Sequence, residues 1–284
     1  LGFVTNGVNR LVLDNNSNIS LSNNDSGVGN TIFGENAGDP DGAGDYNIYI
    51  GRQAGGYGVQ TDASDYNIGI GGEAGSRITE GSANILIGHL CGDYQTDGIN
   101  NVAVGYSSCR DVGTGGANVV LGNYALDNTS SVVSNAIFIG YESGRGQLAA
   151  GANGTIAIGR ESLNDLTSGS GAVAVGYKAL TNLTTGHHNT AIGYEALSPN
   201  NAAGSTAIGF QAGKTSTNGA NTLVGWKAGT LLLGGSDNTL VGYGAGDALA
   251  ASELRNIALG SNAMGALNEG GSGHADDNIA IGYD

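Results

Sequence analysis

One short motif, always anchored on a glycine, recurs along this chain from residue 30 to the end. Its clearest copy is residues 189–197, which read Asn-Thr-Ala-Ile-Gly-Tyr-Glu-Ala-Leu. Most copies follow one another after 16 to 18 residues. A repeat of this length predicts a solenoid, in which each copy forms one coil stacked on the next. The fifteen anchoring glycines are Gly34, Gly51, Gly71, Gly88, Gly105, Gly122, Gly140, Gly159, Gly176, Gly193, Gly209, Gly225, Gly242, Gly260 and Gly282.

Each position around the glycine, which is numbered 0, follows a rule. Position −1 is always bulky and apolar, position −2 is often Ala, and position −3 is mostly Ile or Val. Position −4 is Asn in eleven of the fifteen copies, and position +4 is Gly, Leu, Cys or Met. Residues that favour β-structure, bounded by Asn and Gly, predict a short strand in each copy. Position −3 is threonine in five copies, at Thr31, Thr190, Thr206, Thr222 and Thr239.

The repeats predict an all-β protein, a parallel β-solenoid of about fifteen coils of about 17 residues each. One coil is too small to fold alone, because its few buried aliphatic side chains contribute only roughly 1.5–3 kcal/mol each. Stacked with strands about 4.8 Å apart, the coils would form a rod roughly 70 Å long. We assign the solenoid to residues 30–284 and a β-rich joining or capping segment to residues 1–29. The chain is expected to continue beyond both ends in the full protein.

The two faces of the predicted strands suggest an oligomer. Side chains alternate along a strand, so positions −3 and −1 share one face and position −2 takes the other. The bulky −3 and −1 side chains are expected to fill the inside of the coil. The −2 residues are also mostly apolar, which a strand facing water does not need, so we expect another copy of the chain to cover them. The Asn column is expected to serve turns and hydrogen-bonded ladders between coils.

Composition and charge exclude several classes of protein. The chain has 53 glycines but two prolines, whereas a collagen helix needs abundant proline. Its net charge is −15 and its ten Lys and Arg residues are scattered singly, so nucleic acid is not an expected partner. No apolar stretch approaches the ~18 residues of a membrane helix, so membrane insertion is not expected either.

The motif resembles the repeats of two known groups. Residues 189–197 and their variant at 205–213, Ser-Thr-Ala-Ile-Gly-Phe-Gln-Ala-Gly, are similar to repeats of bacteriophage tail-fibre and tailspike-like proteins. Residues 3–14 are similar to the lead-in before such repeats. The Ala-Ile-Gly core also resembles the head repeats of YadA-type trimeric autotransporter adhesins. The resemblance implies a left-handed homotrimer, located on a virion surface or outside a cell, that attaches to a cell-surface glycan or protein receptor.

Aromatic residues at position +1 are the candidate ligand-binding residues. In consecutive coils they would stack into a column, and an exposed column could bind the sugar rings of a cell surface. The alternative, which we favour, is a packing ladder that stiffens the rod or a subunit interface. The candidates are Tyr141, Tyr177, Tyr194, Phe210, Trp226 and Tyr243.

Metal binding and catalysis have less support. Asp39, Asp41 and Asp45 have a spacing that resembles a calcium loop, but the bidentate Glu of an EF-hand is missing, and a solvated turn is the alternative. Cys91 and Cys109 fall in columns of small residues and are expected to be buried packing residues. No histidine lies in a recognisable triad or zinc spacing. We therefore expect no enzyme, no catalytic residue and no cofactor other than a possible calcium ion.

Three functions fit these observations. The first is a structural fibre segment for surface attachment, a rigid spacer and possible receptor-binding shaft of a phage tail fibre or surface adhesin. The second is a self-assembling extracellular filament, because an open solenoid can stack end to end. The third is an ice- or surface-binding solenoid, suggested by the threonines at position −3. The expected placement of those threonines inside the coil counts against it.

Overall fold

A computed structural model describes residues 2–5, 8–13, 19–20, 27–38, 43–127, 132–146, 152–198, 203–249, 253–265 and 276–283. The first three strands, β1 (Gly2–Thr5), β2 (Val8–Leu13) and β3 (Ile19–Ser20), form an antiparallel sheet in the order β1-β2-β3. They lie in the segment that precedes the repeats.

Fifteen further strands form one parallel sheet in chain order, each paired in register with the next. Every strand occupies positions −3 to −1 of one copy of the motif, and no helix occurs among the described residues. The predicted all-β parallel solenoid is confirmed. The strands are β4 (Thr31–Phe33), β5 (Ile48–Ile50), β6 (Ile68–Ile70), β7 (Ile85–Ile87), β8 (Val102–Val104), β9 (Val119–Leu121), β10 (Ile137–Ile139), β11 (Ile156–Ile158), β12 (Val173–Val175), β13 (Thr190–Ile192), β14 (Thr206–Ile208), β15 (Thr222–Val224), β16 (Thr239–Val241), β17 (Ile257–Leu259) and β18 (Ile279–Ile281).

The anchoring glycine is required for two reasons. Its φ lies between 130° and 145° in all fifteen copies, a region that residues with a side chain rarely adopt. It also lies directly against the next coil. A Cβ atom on Gly193, for example, would be 2.2 Å from the carbonyl oxygen of Gly209. No other residue can therefore occupy position 0 without separating the coils.

The core lies on the side of position −2, so our assignment of the two strand faces was wrong. The −2 side chains, such as Phe138 and Leu223, are fully buried, and positions +3, +4 and +7 fold back onto them. The −3 and −1 side chains are instead partly exposed, with Ile192 and Ile208 each at 39%. Hydrophobicity alone misled the assignment because both faces are apolar, and the narrow core admits mainly small −2 residues.

Positions −2 and +4 of one coil share a limited space. Where position −2 is large, position +4 is Gly: a Cβ atom on Gly144 would lie 2.2 Å from the ring of Phe138. Where position −2 is Ala, as at Ala157, position +4 is often Leu, as at Leu163, and both side chains are fully buried. The residues at these two positions therefore vary together: a larger side chain at one position goes with a smaller side chain at the other.

The Asn column forms the expected ladder between coils. The backbone N–H of Asn101 donates to Oδ1 of Asn84 at 3.0 Å, and that of Asn118 donates to Oδ1 of Asn101 at 3.0 Å. The amide group of Asn101 also donates to the carbonyl oxygen of Gly115 at 2.9 Å. The side chains of Asn84, Asn101 and Asn118 are fully buried. Each thus satisfies backbone groups that the tight turn removes from water.

We expect that moving the large side chain from position 138 to position 144 is tolerated better than either change alone. Phe138→Ala alone should leave a cavity that costs about 3–5 kcal/mol, and Gly144→Leu alone should clash with the phenyl ring. The double variant recreates the pair found at Ala157 and Leu163, so it should unfold at a higher temperature than either single variant. Thermal unfolding followed by circular dichroism measures this, and additive losses in the double variant would contradict the shared space.

Candidate functional surfaces

The largest unusual surface is the outward side of the sheet. We call the side chains at positions −3 and −1 of β4–β18 the outer apolar face. Its thirty positions, two on each of fifteen strands, are occupied by Ile, Val, Leu, Thr and Phe, without a charge. The face spans roughly 70 Å along the rod and 10 Å across it, or about 700 Å². Monomeric proteins rarely expose a contiguous apolar patch larger than about 300–600 Å².

Threonines occupy one stretch of this face. Thr190, Thr206, Thr222 and Thr239 lie in four consecutive strands and are paired in register. They are partly or fully exposed, so the expectation that they lie inside the coil was wrong. The threonines are exposed because position −3 points away from the core, opposite to the orientation that we expected from the sequence.

Five of the six candidate aromatic residues form one stack, which we call the aromatic ladder: Tyr177, Tyr194, Phe210, Trp226 and Tyr243. Neighbouring ring centroids are 5.0, 5.2, 6.0 and 4.5 Å apart, and the planes of successive rings differ by 23°, 16°, 12° and 6°. The rings of the ladder are half-exposed. The stack of consecutive coils that the sequence predicted is therefore present.

The orientation of these rings limits what they can bind. The inner rings, Tyr194, Phe210 and Trp226, each have both faces against neighbouring rings. A sugar binds an aromatic side chain through the face of the ring, whereas this ladder presents mainly ring edges to solvent. The geometry therefore favours the packing role over a sugar-binding platform.

Tyr141, the sixth candidate, is not part of the ladder. Its ring lies edge-on to that of Tyr124, with centroids 6.0 Å apart and planes 85° apart. The guanidinium carbon of Arg160 lies 5.5 Å from its centroid. Arg160 occupies position +1 in the following coil, between Tyr141 and Tyr177. The structure thus separates this residue from the other five candidates.

A second ladder, which the sequence analysis missed, carries alternating charges at position +5. Asp93, Arg110, Asp127 and Arg145 occupy this position in four successive coils. Arg110 Nε lies 3.3 Å from Asp127 Oδ1. The sequence could have predicted this charged column, because aligning the repeats on their glycines brings the four residues to the same position.

The carboxylates of Asp93 and Asp127 are buried. Burial raises the pKa of Asp93, although a hydrogen bond from Ser76 and the nearby charge of Arg77 favour its ionised form. Burial likewise raises the pKa of Asp127, against the opposing charge of Arg110. Both groups therefore resist ionisation more than an exposed aspartate would.

The candidate calcium loop is described only in part, because Asp39 and Asp41 lie outside the described residues. The carboxylate of Asp45 accepts a hydrogen bond from the backbone N–H of Val28 at 2.6 Å. The backbone N–H of Asp45 donates to the carboxylate of Asp65 at 2.7 Å. These contacts give Asp45 a role in joining coils. Among the described residues no three acidic, His or Cys side chains are grouped as metal ligands.

The two cysteines are free and fully buried, as their columns predicted. The Sγ atom of Cys91 lies 3.4 Å from the carbonyl oxygen of Ala103, to which it donates. Burial raises the pKa of the Cys109 thiol to about 12 and also raises that of Cys91. Both thiols are therefore protonated at neutral pH and serve as small core side chains.

Comparison with known proteins gives no assignment. No family model, no curated protein and no solved structure matches this chain. A search of the described residues for a helix long and apolar enough to cross a membrane found none. The functional argument therefore depends on the geometry of the solenoid and its surfaces.

We expect Phe210→Ala to destabilise the rod by about 1–3 kcal/mol, since it removes two stacked pairs from the aromatic ladder. Phe210→Tyr keeps both pairs and is the matched control. Thermal unfolding and the near-ultraviolet circular dichroism of the rings measure the effect. If Phe210→Ala unfolds at the same temperature as the wild type, the ladder does not stiffen the rod.

Two aspartates should respond to pH in opposite directions. Folding raises the pKa of Asp93, so its contribution to stability is present below the ordinary Asp pKa and is lost as pH rises through the folded pKa. A hydrogen bond from Arg255 lowers the pKa of the exposed Asp277, so its contribution is present above the ordinary pKa and is lost on acidification.

Lowering the pH from 7 to 4 should therefore stabilise the wild type relative to Asp93→Asn, and lowering it further, from 4 to 2, should destabilise the wild type relative to Asp277→Asn. Unfolding midpoints of the three proteins across this range test the signs. A stability difference between the wild type and Asp93→Asn that does not change with pH would contradict the raised pKa.

Proposed function

We propose that this chain is a structural fibre segment for surface attachment, a rigid spacer that belongs to a virion surface or to the outside of a cell. The observation that carries the proposal is the unbroken parallel sheet, in which fifteen consecutive strands keep one register. Such a rod, roughly 70 Å long, would hold a receptor-binding end away from the surface that bears it.

Three features support a mechanical role. Adjacent coils are joined by backbone hydrogen bonds in the strand and also in the turns, for example from Leu180 N to Ala196 O at 3.0 Å. Buried Asn side chains add further bonds between coils. A net charge of −15 keeps such a regular surface soluble. The proposed partners are further copies of the chain and a cell-surface glycan or protein receptor.

The exposed threonines favour a second candidate, an ice- or surface-binding solenoid. Thr190, Thr206, Thr222 and Thr239 form an outward column with the spacing of the sheet. A regular array of hydroxyl and methyl groups suits a repetitive surface. The column covers four of fifteen coils, whereas the fibre function uses the whole rod, so we rank the fibre first.

We expect small-angle X-ray scattering of the purified chain to give the profile of a rod. Antibodies against residues 30–284 should label extended fibres on the virions or cells that carry the protein. A compact particle in solution, or label confined to the cell interior, would contradict the proposal. Filaments of unlimited length would instead point to the self-assembling filament, and thermal hysteresis in freezing solutions would point to ice binding.

A further inference from the structure

We infer that the outer apolar face is the surface on which copies of this chain pack against one another, side by side. The inference rests on the proposed fibre function and identifies its assembly surface. The resemblance suggests oligomers, but our sequence analysis placed the contact on the opposite strand face, at position −2. The structure buries those side chains inside each coil, so they are not available to a partner.

The area of the face fits a stable protein partner. Its roughly 700 Å² is close to the ~800 Å² that each partner contributes to a standard interface. Side chains of this face are exposed from one end of the rod towards the other; Phe33, for example, is exposed by 63% and Leu259 by 47%. Since no position on the face is charged in a chain of net charge −15, two copies can meet there without burying an unpaired charge.

The chemistry of the face identifies another copy as the occupant. A partner must present an uncharged apolar strip of the same length, with side chains repeated at the strand spacing of about 4.8 Å. The chain itself offers such a strip. Half-exposed rings of the aromatic ladder follow position −1 by two residues, and so border it. Aromatic residues are enriched in protein interfaces.

Sedimentation velocity of the full 284-residue chain tests the face. The wild type should sediment as an oligomer, and Ile192→Glu should raise its dissociation constant at least tenfold. Ile99→Glu is the matched control, because Ile99 is exposed by 47% but lies at position −6, outside the face. Ile208→Lys repeats the test in the next coil with the opposite charge, and circular dichroism checks that each variant keeps its β-structure.

A monomeric wild type at micromolar concentration would overturn the inference. So would an oligomer that folded Ile192→Glu and Ile208→Lys leave intact. The result for the control matters equally: if Ile99→Glu dissociates the oligomer as strongly, the contact lies elsewhere.

These outcomes are distinct from those that test the fibre function. Labelled surface fibres built from a chain that is monomeric in solution would overturn the packing inference and leave the fibre function standing. An oligomer that Ile192→Glu dissociates, but whose antibodies label no surface fibre, would do the reverse.

Discussion

The close approach of successive coils at the anchoring glycine is the constraint on which the rest of this structure depends. Since a Cβ atom at Gly193 would lie 2.2 Å from a backbone oxygen of the next coil, position 0 cannot change. That contact fixes the distance between coils, which in turn brings the strands into one parallel sheet and the Asn side chains within reach of the next backbone. It also leaves room for only one layer of side chains inside.

The narrow interior explains both the core and the outer surface. Most coils hold either a large side chain at position −2 with Gly at +4, as at Phe138 and Gly144, or a small one with Leu at +4, as at Ala157 and Leu163. The branched residues at positions −3 and −1 have no place inside, so they point outward. A rod with a very small core therefore exposes a long apolar face.

The sequence was sufficient to predict the solenoid, its strands and the Asn ladder, because each depends on a residue type repeated at one period. It was not sufficient to predict which strand face is inside, since both faces are apolar and the outcome depends on the path of the chain after the glycine. The aromatic column was predictable as a stack at Phe210 and Trp226. The separation of Tyr141 was not, because Arg160 interrupts the column and side-chain orientation is set by local contacts.

The Asn ladder has its longest interruption in the middle of the rod. Ala136 still donates its backbone N–H to Asn118, but the next two coils have Thr155 and Ala172 at position −4, and the buried Thr155 hydroxyl has no hydrogen-bond partner. Other side chains join the coils there instead, such as the hydroxyls of Ser143 and Ser162, which are 3.0 Å apart. A load along the rod axis therefore passes from the Asn column to a different column of side chains as it crosses the centre.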